Sequence, residues 1–220
     1  SDLSPAKLNL GLRIVGKRDD GYHLLKSVFC LIDLCDQIEI QLTQNGKISL
    51  IEHQQAWFYQ KDLSFRAAKL LQEHTKSKFG ANIKIKKVIP SGAGMGGGSS
   101  NAAAVLMVLN QLWETNLSCK ELMHLGLQLG ADVPFFIQGR NALVTGIGEI
   151  IQPIEIPQLY FVIVKPDFHI TTKNVFCSLN LDFQAIREDL ITAQDLIEQK
   201  INDLEAVVKI IYPQINDIFS

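Results

Sequence analysis

The feature that most constrains this chain is a glycine-rich loop between a strand pattern and a helix pattern. Five of the seven residues from 92 to 98 are glycine, and Ser99 and Ser100 follow directly. Glycine loses more conformational freedom on folding than other residues, so such a run is costly unless the backbone needs it. Residues 99–113 carry apolar side chains at helical spacing. The sequence therefore predicts that the loop opens onto the N-terminus of a helix.

A loop of this kind is suited to binding an anion. The first backbone N–H groups of a helix have no partner within the helix, and the helix dipole adds positive charge there. Glycine lets the backbone approach phosphate oxygens closely. The hydroxyls of Ser99 and Ser100 would add ligands for phosphate or for a magnesium ion. The alternative is a flexible linker that ends in an ordinary serine cap.

Two well-known glycine-loop motifs fit this loop poorly. No Lys-Ser or Lys-Thr pair follows the glycines, which excludes a P-loop. The pattern Gly-x-Gly-x-Gly-Gly-Gly also departs from the Gly-x-Gly-x-x-Gly of dinucleotide-binding proteins. A dinucleotide-dependent oxidoreductase would need an acidic residue about 20 residues after the loop. Glu121 lies at about that distance but opens a helix instead of ending a strand, so this function is the least favoured.

Composition indicates a globular protein with one large or two closely packed domains. The 220 residues are 47% hydrophobic and 20% charged, with a net charge of −2. This charge gives no reason to expect a nucleic-acid or membrane partner, and the basic residues Lys84, Lys86 and Lys87 are too few for a nucleic-acid patch. Four scattered cysteines and the lack of an apolar run near the roughly 20 residues that span a bilayer favour a cytoplasmic location.

The apolar patterns predict an α+β fold, because strands and helices fall in clusters instead of alternating strictly. Ser118 and Glu121 form a capping-box pattern at the start of a helix that Gly130 would end. The predicted strands are 7–15, 27–34, 37–42, 47–52, 82–88, 142–145 and 159–165, and the predicted helices are 61–73, 99–113, 119–129 and most of 185–219.

Residues 90–103, Pro-x-Gly-x-Gly-Met-Gly-Gly-Gly-Ser-Ser-Asn-Ala-Ala, resemble the phosphate loop of the GHMP small-molecule kinases. Three further stretches, 4–10, 18–23 and 129–136, are similar to motifs of the members that act on 4-diphosphocytidyl-2-C-methyl-D-erythritol. The matches run in the same order across about residues 4–176, with Met95 where leucine is common. The resemblance implies ATP-dependent phosphorylation of the 2-hydroxyl of that compound in the non-mevalonate isoprenoid route.

The resemblance also implies a two-lobed GHMP-kinase-like fold. Residues 1–154 would form an N-terminal ATP-binding domain, a ribosomal-protein-S5-domain-2-like lobe. Residues 155–220 would form a partial helical or ferredoxin-like C-terminal lobe. The family carries a third glycine-rich motif near its C-terminus, which residues 202–205 would precede, whereas this sequence has no glycine after Gly148. We therefore expect the given chain to lack its C-terminal end.

Catalytic roles follow from the resemblance and not from spacing. It implies that Asp132 is the base for the acceptor hydroxyl and that Lys7 lies beside it. From the residues alone, Lys7 is equally well an exposed strand lysine, and Asp132 a turn or cap residue. The implied ATP-binding residues are Pro90, Gly92, Gly94, Gly96, Gly97, Gly98, Ser99, Ser100 and Asn101. Magnesium is expected to be bound mainly through the nucleotide phosphates, with no protein metal site.

The implied partner is a small molecule that carries a cytidine diphosphate group. Tyr22 would stack on the cytosine opposite Phe176, and His23 would hydrogen-bond the edge of the base. Asn9 and Thr172 match further substrate positions, although Thr171 stands next to Thr172. The oligomeric state is left open between monomer and homodimer.

The sequence also leaves open the role of Lys87 and the choice between competing functions. Lys87 either reaches the nucleotide or is a strand-edge lysine. The other histidines are interpreted as structural: His53, His74, His124 and His169. Competing functions are another GHMP kinase, acting on homoserine, mevalonate or a sugar, and a non-catalytic nucleotide-binding or RNA-contacting module. Another GHMP kinase would share the glycine loop but not Tyr22 and His23. A non-catalytic module would lack the pair of Lys7 and Asp132.

Overall fold

The structure is a computed structural model that describes residues 2–51, 61–168, 170, 172–179 and 191–219. His53 and His169 lie outside these residues. In chain order the elements are β1 Asp2–Lys17, β2 His23–Thr43, β3 Ile48–Ile51, α1 Leu63–Thr75, β4 Gly80–Lys86, α2 Gly97–Leu112, α3 Cys119–Leu127, α4 Val133–Gln138, β5 Ala142–Thr145, β6 Ile150–Pro153, α5 Thr172–Cys177, α6 Ala193–Gln199, α7 Asp203–Ile211 and α8 Asn216–Phe219, with a short 3-10 turn at Pro213–Ile215.

The chain forms two compact units, each assembled from separate stretches of sequence. The first contains Ser1–Lys7, Leu31–Ser91 and Met95–Arg140. In this unit β2 pairs antiparallel with β4, from Gln37 opposite Lys86 to Thr43 opposite Gly80, and β3 runs parallel to β4. Helices α1, α2, α3 and α4 pack on one another. The fully buried side chains at their contacts and on the strands include Ile38, Leu71, Ile83, Leu106 and Phe135.

The second unit contains Leu8–Cys30, Gly92–Gly94 and Asn141–Ser220. Here the first half of β2 pairs antiparallel with β5, and β5 pairs antiparallel with β6. The carboxylate of Asp203, in α7, accepts hydrogen bonds from the side chain of Arg13 and the backbone N–H of Ile14. These contacts attach α7 to β1. The domain division after residue 154 remains a prediction.

The two strands predicted at 27–34 and 37–42 are one continuous strand, β2. Asp36 lies between them and does not end the strand, because its buried carboxylate accepts the backbone N–H groups of Val88 and Ile89. A buried polar group is tolerated where its hydrogen bonds are satisfied. The separation into two strands was therefore wrong, while the strand character of both segments is confirmed.

The strand predicted at 159–165 is also wrong, since the structure assigns no strand there. Its alternating side chains are largely exposed, with Tyr160 88% and Val162 95% accessible. A strand requires a hydrogen-bonded neighbour, and within the described residues no strand pairs with this segment. The alternation in the sequence is real, but alternation alone does not supply a partner.

The helix predictions are largely confirmed where the structure describes the chain; positions 185–190 of the last predicted helical stretch lie outside the described residues. Ser118 and Glu121 form the predicted capping box. The Ser118 side chain accepts the backbone N–H of Glu121, and the Glu121 side chain accepts the backbone N–H of Ser118. Helix α3 ends at Leu127 with Gln128 as its cap, so Gly130 lies beyond the helix instead of ending it. Helix α2 begins at Gly97, two residues before the predicted start, so part of the glycine loop is helical.

Candidate active site

The glycine loop ends at Gly96, which is the N-cap of α2. Its φ is +71°, and a Cβ there would lie 2.7 Å from the Phe136 ring and 3.3 Å from Cγ of Lys7. Only glycine fits both that backbone angle and that space. Gly96 has no side chain to cap the helix, while its carbonyl accepts the N–H of Ser100. The N–H groups of Gly97 and Gly98 are therefore in the position from which helices bind anions.

Lys7 is joined to the same loop from β1. Its backbone N–H donates to the carbonyl of Met95 at 3.0 Å. Its side chain is buried, and Nζ lies 3.8 Å from Oδ2 of Asp132. Burial lowers the pKa of Lys7 below its ordinary value, although the charge of Asp132 acts in the opposite direction. The structure thus brings the two predicted catalytic residues together at the loop.

Asp132 occupies the N-cap position of α4, but its side chain makes no capping hydrogen bond. The carboxylate is about one-third exposed and pairs with Lys7. An ionised carboxylate with solvent access can accept a proton. The geometry therefore favours the interpretation as a base over the interpretation as a helix cap.

Two of the predicted ATP-binding side chains, Ser100 and Asn101, are buried in the protein. The hydroxyl of Ser4 lies 2.7 Å from the Ser100 hydroxyl and 2.8 Å from Oδ1 of Asn101. These contacts anchor the first turns of α2 to β1. The geometry gives Ser100 and Asn101 a role in holding the helix, and Ser99 is the hydroxyl residue at the helix start that this cluster does not use. Sequence reasoning missed Ser4, although it opens the 4–10 motif.

A second residue that sequence reasoning missed is Asp36, whose side chain is fully buried. Oδ1 accepts the N–H groups of Val88 and Ile89 at 2.7 and 2.9 Å, and Oδ2 pairs with the amine of Lys87. Burial raises the pKa of Asp36, but the bonds from Lys87 and from the backbone outweigh burial and hold the pKa below its ordinary value. The three residues bonded to Asp36 (Lys87, Val88 and Ile89) directly precede the glycine loop.

An aromatic pair forms in the second unit. The tight turn before β2 carries Gly21 at φ +89°, and the backbone N–H of Arg18 donates to the carbonyl of Tyr22 at 2.8 Å. This turn leaves Tyr22 61% exposed. The ring of His23 lies 5.6 Å from the ring of Phe176, centroid to centroid, at an interplanar angle of 37°. Two residues predicted to bind the base are therefore in contact.

The environment of His23 favours its neutral form. Burial lowers its pKa, and the charge of Lys17 lowers the pKa further. A neutral imidazole has one nitrogen that donates and one that accepts a hydrogen bond. His23 can therefore meet both donor and acceptor groups on the edge of a base.

Asn9 is oriented by a residue that the sequence did not single out. Its side-chain amide donates to the hydroxyl of Ser27 at 2.9 Å, and Ser27 in turn donates to the carbonyl of Gly11 at 2.6 Å. Thr172 begins α5, but its side chain is not among those described. The role of Thr172 therefore stays a prediction.

The remaining predicted positions are local features of the loop and of the surface. Gly92 and Gly94 both have positive φ. His74 and His124 are exposed in the last turns of α1 and α3. Within the described ranges no three His, Cys, Asp or Glu side chains converge as metal ligands. None of the helices described is long and apolar enough to cross a membrane.

Residues 62–140 match the family described as GHMP kinases N terminal domain. The 4-diphosphocytidyl-2-C-methyl-D-erythritol kinase of Neisseria meningitidis serogroup A is 45% identical over 217 residues, which are 99% of this chain and 77% of that relative. The enzyme of the same name from Aliivibrio fischeri is 44% identical over 214 residues, 97% of this chain and 73% of the relative.

The fold agrees with these relatives. A crystal structure of 4-(cytidine 5'-diphospho)-2C-methyl-D-erythritol kinase aligns with a TM-score of 0.77 at 31% identity, covering 99% of this chain and 80% of that one. Homoserine kinase from Cytophaga hutchinsonii aligns with a TM-score of 0.67 at 16% identity, over 98% of this chain and 76% of that one, which is a likeness of fold alone. The predicted α+β, GHMP-kinase-like fold is confirmed, and the chain belongs to the 4-diphosphocytidyl-2-C-methyl-D-erythritol kinase family of the GHMP kinases.

Proposed function

We propose that this chain transfers the terminal phosphate of ATP to the 2-hydroxyl of 4-diphosphocytidyl-2-C-methyl-D-erythritol. The observation that carries the mechanism is the ion pair of Lys7 and Asp132, held beside the glycine loop at the start of α2. Relatives 42–46% identical to the chain bear the name of that kinase. A phosphate-binding helix end and a carboxylate base are the parts that phosphoryl transfer to an alcohol requires.

The ATP phosphates bind at the N-terminus of α2. The backbone N–H groups of Gly97 and Gly98 face the phosphate oxygens, and the helix dipole favours the negative charge. A side chain on Gly97 would crowd the helix end, since its Cβ would already lie 3.0 Å from Ile89. The glycines thus leave backbone N–H groups accessible to a ligand, which suits a polyphosphate.

Asp132 acts as the general base. As the substrate hydroxyl oxygen forms its bond to the terminal phosphorus of ATP, Asp132 takes the hydroxyl proton, and the bond from phosphorus to the bridging oxygen breaks to release ADP. The ammonium of Lys7 pairs with the carboxylate of Asp132 across 3.8 Å. The same ammonium stabilises the negative charge that develops on the attacking oxygen.

Magnesium would be held mainly through the nucleotide phosphates and water. Carboxylate and hydroxyl oxygens suit this ion, and Asp132 and Ser99 are the groups of the described site with that chemistry. When bound, the ion would neutralise part of the phosphate charge during transfer.

The cytosine of the acceptor binds at the aromatic residues of the second unit. Tyr22 and Phe176 supply ring faces for stacking, a contact that is worth about 1–3 kcal/mol per base. His23 and Asn9 supply hydrogen bonds, and each is already oriented, His23 by its contact with Phe176 and Asn9 by Ser27. A kinase that acts on an acceptor without a base would have no use for this cluster.

A coupled assay of ADP release with a panel of acceptors tests the proposal. We expect release with 4-diphosphocytidyl-2-C-methyl-D-erythritol and none above background with homoserine, mevalonate or a hexose. Identification of the product by phosphorus NMR must place the new phosphate on the 2-hydroxyl. Turnover with one of the other acceptors in place of the cytidine compound would assign the chain to a different activity.

A further inference from the structure

We infer that Asp36 is a positioning residue for the ATP phosphates and that it acts through Lys87, an inference that rests on the proposed kinase function. Asp36 lies on β2 and makes no part of the glycine loop itself. It is nevertheless the residue that joins three successive positions at the entrance to that loop. Its two oxygens bond different groups, one the backbone N–H groups of Val88 and Ile89 and the other the amine of Lys87.

The first oxygen fixes the backbone. Oδ1 of Asp36 accepts the N–H groups of both Val88 and Ile89. These residues follow the end of β4 at Lys86 and lead directly into the loop. Since a fully buried carboxylate is costly unless its oxygens are bonded, the segment cannot move away from Asp36 without a large loss. The start of the loop is therefore held in place.

The second oxygen holds a cation where it would not otherwise remain. The Lys87 side chain is 42% exposed, yet its amine is paired with Asp36 and lies 3.3 Å from the position of a Cβ on Gly97. Gly97 is the first residue of α2, where the helix dipole is positive and repels an ammonium group. Without Asp36, Lys87 would gain by extending into solvent. Asp36 thus keeps a positive charge beside the N–H groups that face the phosphates.

The consequence is a preorganised anion site. The α2 N-terminus and the Lys87 amine present positive charge to the same place, and neither must be rearranged when a polyphosphate arrives. Preorganisation improves affinity because less ordering is left to occur on binding. We expect the effect to grow with the number of phosphates on the ligand and to be absent for adenosine.

The test compares Asp36→Asn, Lys87→Met and the double variant by titration calorimetry with ATP, ADP, AMP and adenosine. Asparagine keeps the carbonyl oxygen that accepts the two backbone N–H groups and removes only the negative charge that pairs with Lys87. Each single variant should raise the Kd for ATP on the order of ten-fold, the size expected for a hydrogen bond to a charged group. The Kd for adenosine should not change.

The double variant decides whether Asp36 acts through Lys87. If it does, Asp36→Asn adds nothing in the Lys87→Met background, whereas independent effects would add. Lys86→Met, which removes the adjacent exposed lysine, is the matched control and should leave the Kd for ATP as in the wild type. Thermal unfolding of each variant reports whether the fold is kept, and Lys87→Met tests the charge even if Asp36→Asn unfolds.

Three results would overturn the inference: an unchanged Kd for ATP in Lys87→Met, additive effects in the double variant, or an equal loss of affinity for adenosine and ATP. In the first two cases the wild type would still bind ATP and turn over the acceptor, so the proposed function would stand. A wild-type protein that binds no ATP would overturn both.

Discussion

Lys7 and Asp132 stand far apart in the sequence, one before and one after the glycine loop, but pair in space, with Nζ 3.8 Å from Oδ2. The Lys7 side chain is buried and the Asp132 carboxylate is partly exposed, so the cation of the pair is shielded from water and the anion is not. This asymmetry leads to different expectations for the two residues.

Asp132→Asn should retain ATP binding and lose turnover. The amide cannot accept the hydroxyl proton, and loss of a general base typically costs a factor of about 10²–10⁴ in rate. Steady-state assay of ADP release and calorimetry with ATP measure the two effects separately. Asp33→Asn, at an exposed aspartate, is the control. Full turnover of the Asp132 variant would remove this residue from its assigned role.

The pH dependence of kcat should have an alkaline limb set by Lys7. Burial lowers the pKa of Lys7 below the ordinary 10.5, so the ammonium loses its proton at a lower pH than an exposed lysine does. If the charged form is needed for transfer, kcat falls as pH rises through that lowered pKa. A pH–rate profile locates the limb. A plateau that continues to 10.5 would contradict the role of the charged form.

Lys7→Met should lower activity and raise stability. The lowered pKa of Lys7 means that the folded state binds this proton less tightly than the unfolded state, so the charge opposes folding at neutral pH. Methionine fills a similar space without a charge to bury. We expect kcat to fall by a factor on the order of 10² and the Tm to rise. A lower Tm would show that the pair with Asp132 outweighs the cost of burial.

Gly97→Val should abolish ATP binding while the protein remains folded. A Cβ on Gly97 would lie 3.0 Å from Cγ2 and 3.3 Å from Cβ of the buried Ile89, and 3.3 Å from Nζ of Lys87, so these side chains must give by a few tenths of an ångström. The branched side chain would then occupy the space beside the helix end. Calorimetry with ATP and thermal unfolding check the two halves of this prediction. Gly130→Ala, where a Cβ meets only ordinary contacts of 3.8 Å, is the control.

Tyr22→Ala should raise KM for the cytidine substrate and leave KM for ATP unchanged. Loss of one stacked ring costs about 1–3 kcal/mol, or roughly 5- to 150-fold in KM. Tyr22 is exposed, so its removal should not change the Tm. Tyr160→Ala removes another exposed tyrosine and provides the control. An unchanged KM for the cytidine substrate would exclude Tyr22 from the base site.

The sequence predicted best what is decided locally. The glycines before a helix and the capping box of Ser118 and Glu121 depend on neighbouring residues, and the structure confirms them. The continuity of β2 and the fate of 159–165 depend on distant partners. Pattern reasoning failed there because strand pairing is a property of two segments.

The same distinction separates the site residues. The meeting of Lys7 with Asp132 was implied by resemblance, since no spacing rule joins them. Ser4, Ser27 and Asp36 were missed because each matters through what its side chain touches after folding. The available signal was chemical: Asp36 shares its alternating face of the strand pattern with apolar residues such as Leu34 and Ile38, and a carboxylate there requires a partner where it is buried.

The bare segment at 159–165 has a consequence for how the protein behaves in the test tube. Its apolar side chains, Tyr160 and Val162 above all, are exposed. Contiguous exposed apolar side chains promote association between molecules as concentration rises. Light scattering of concentrated samples would therefore report on this segment, and kinetic measurements are best made in dilute solution.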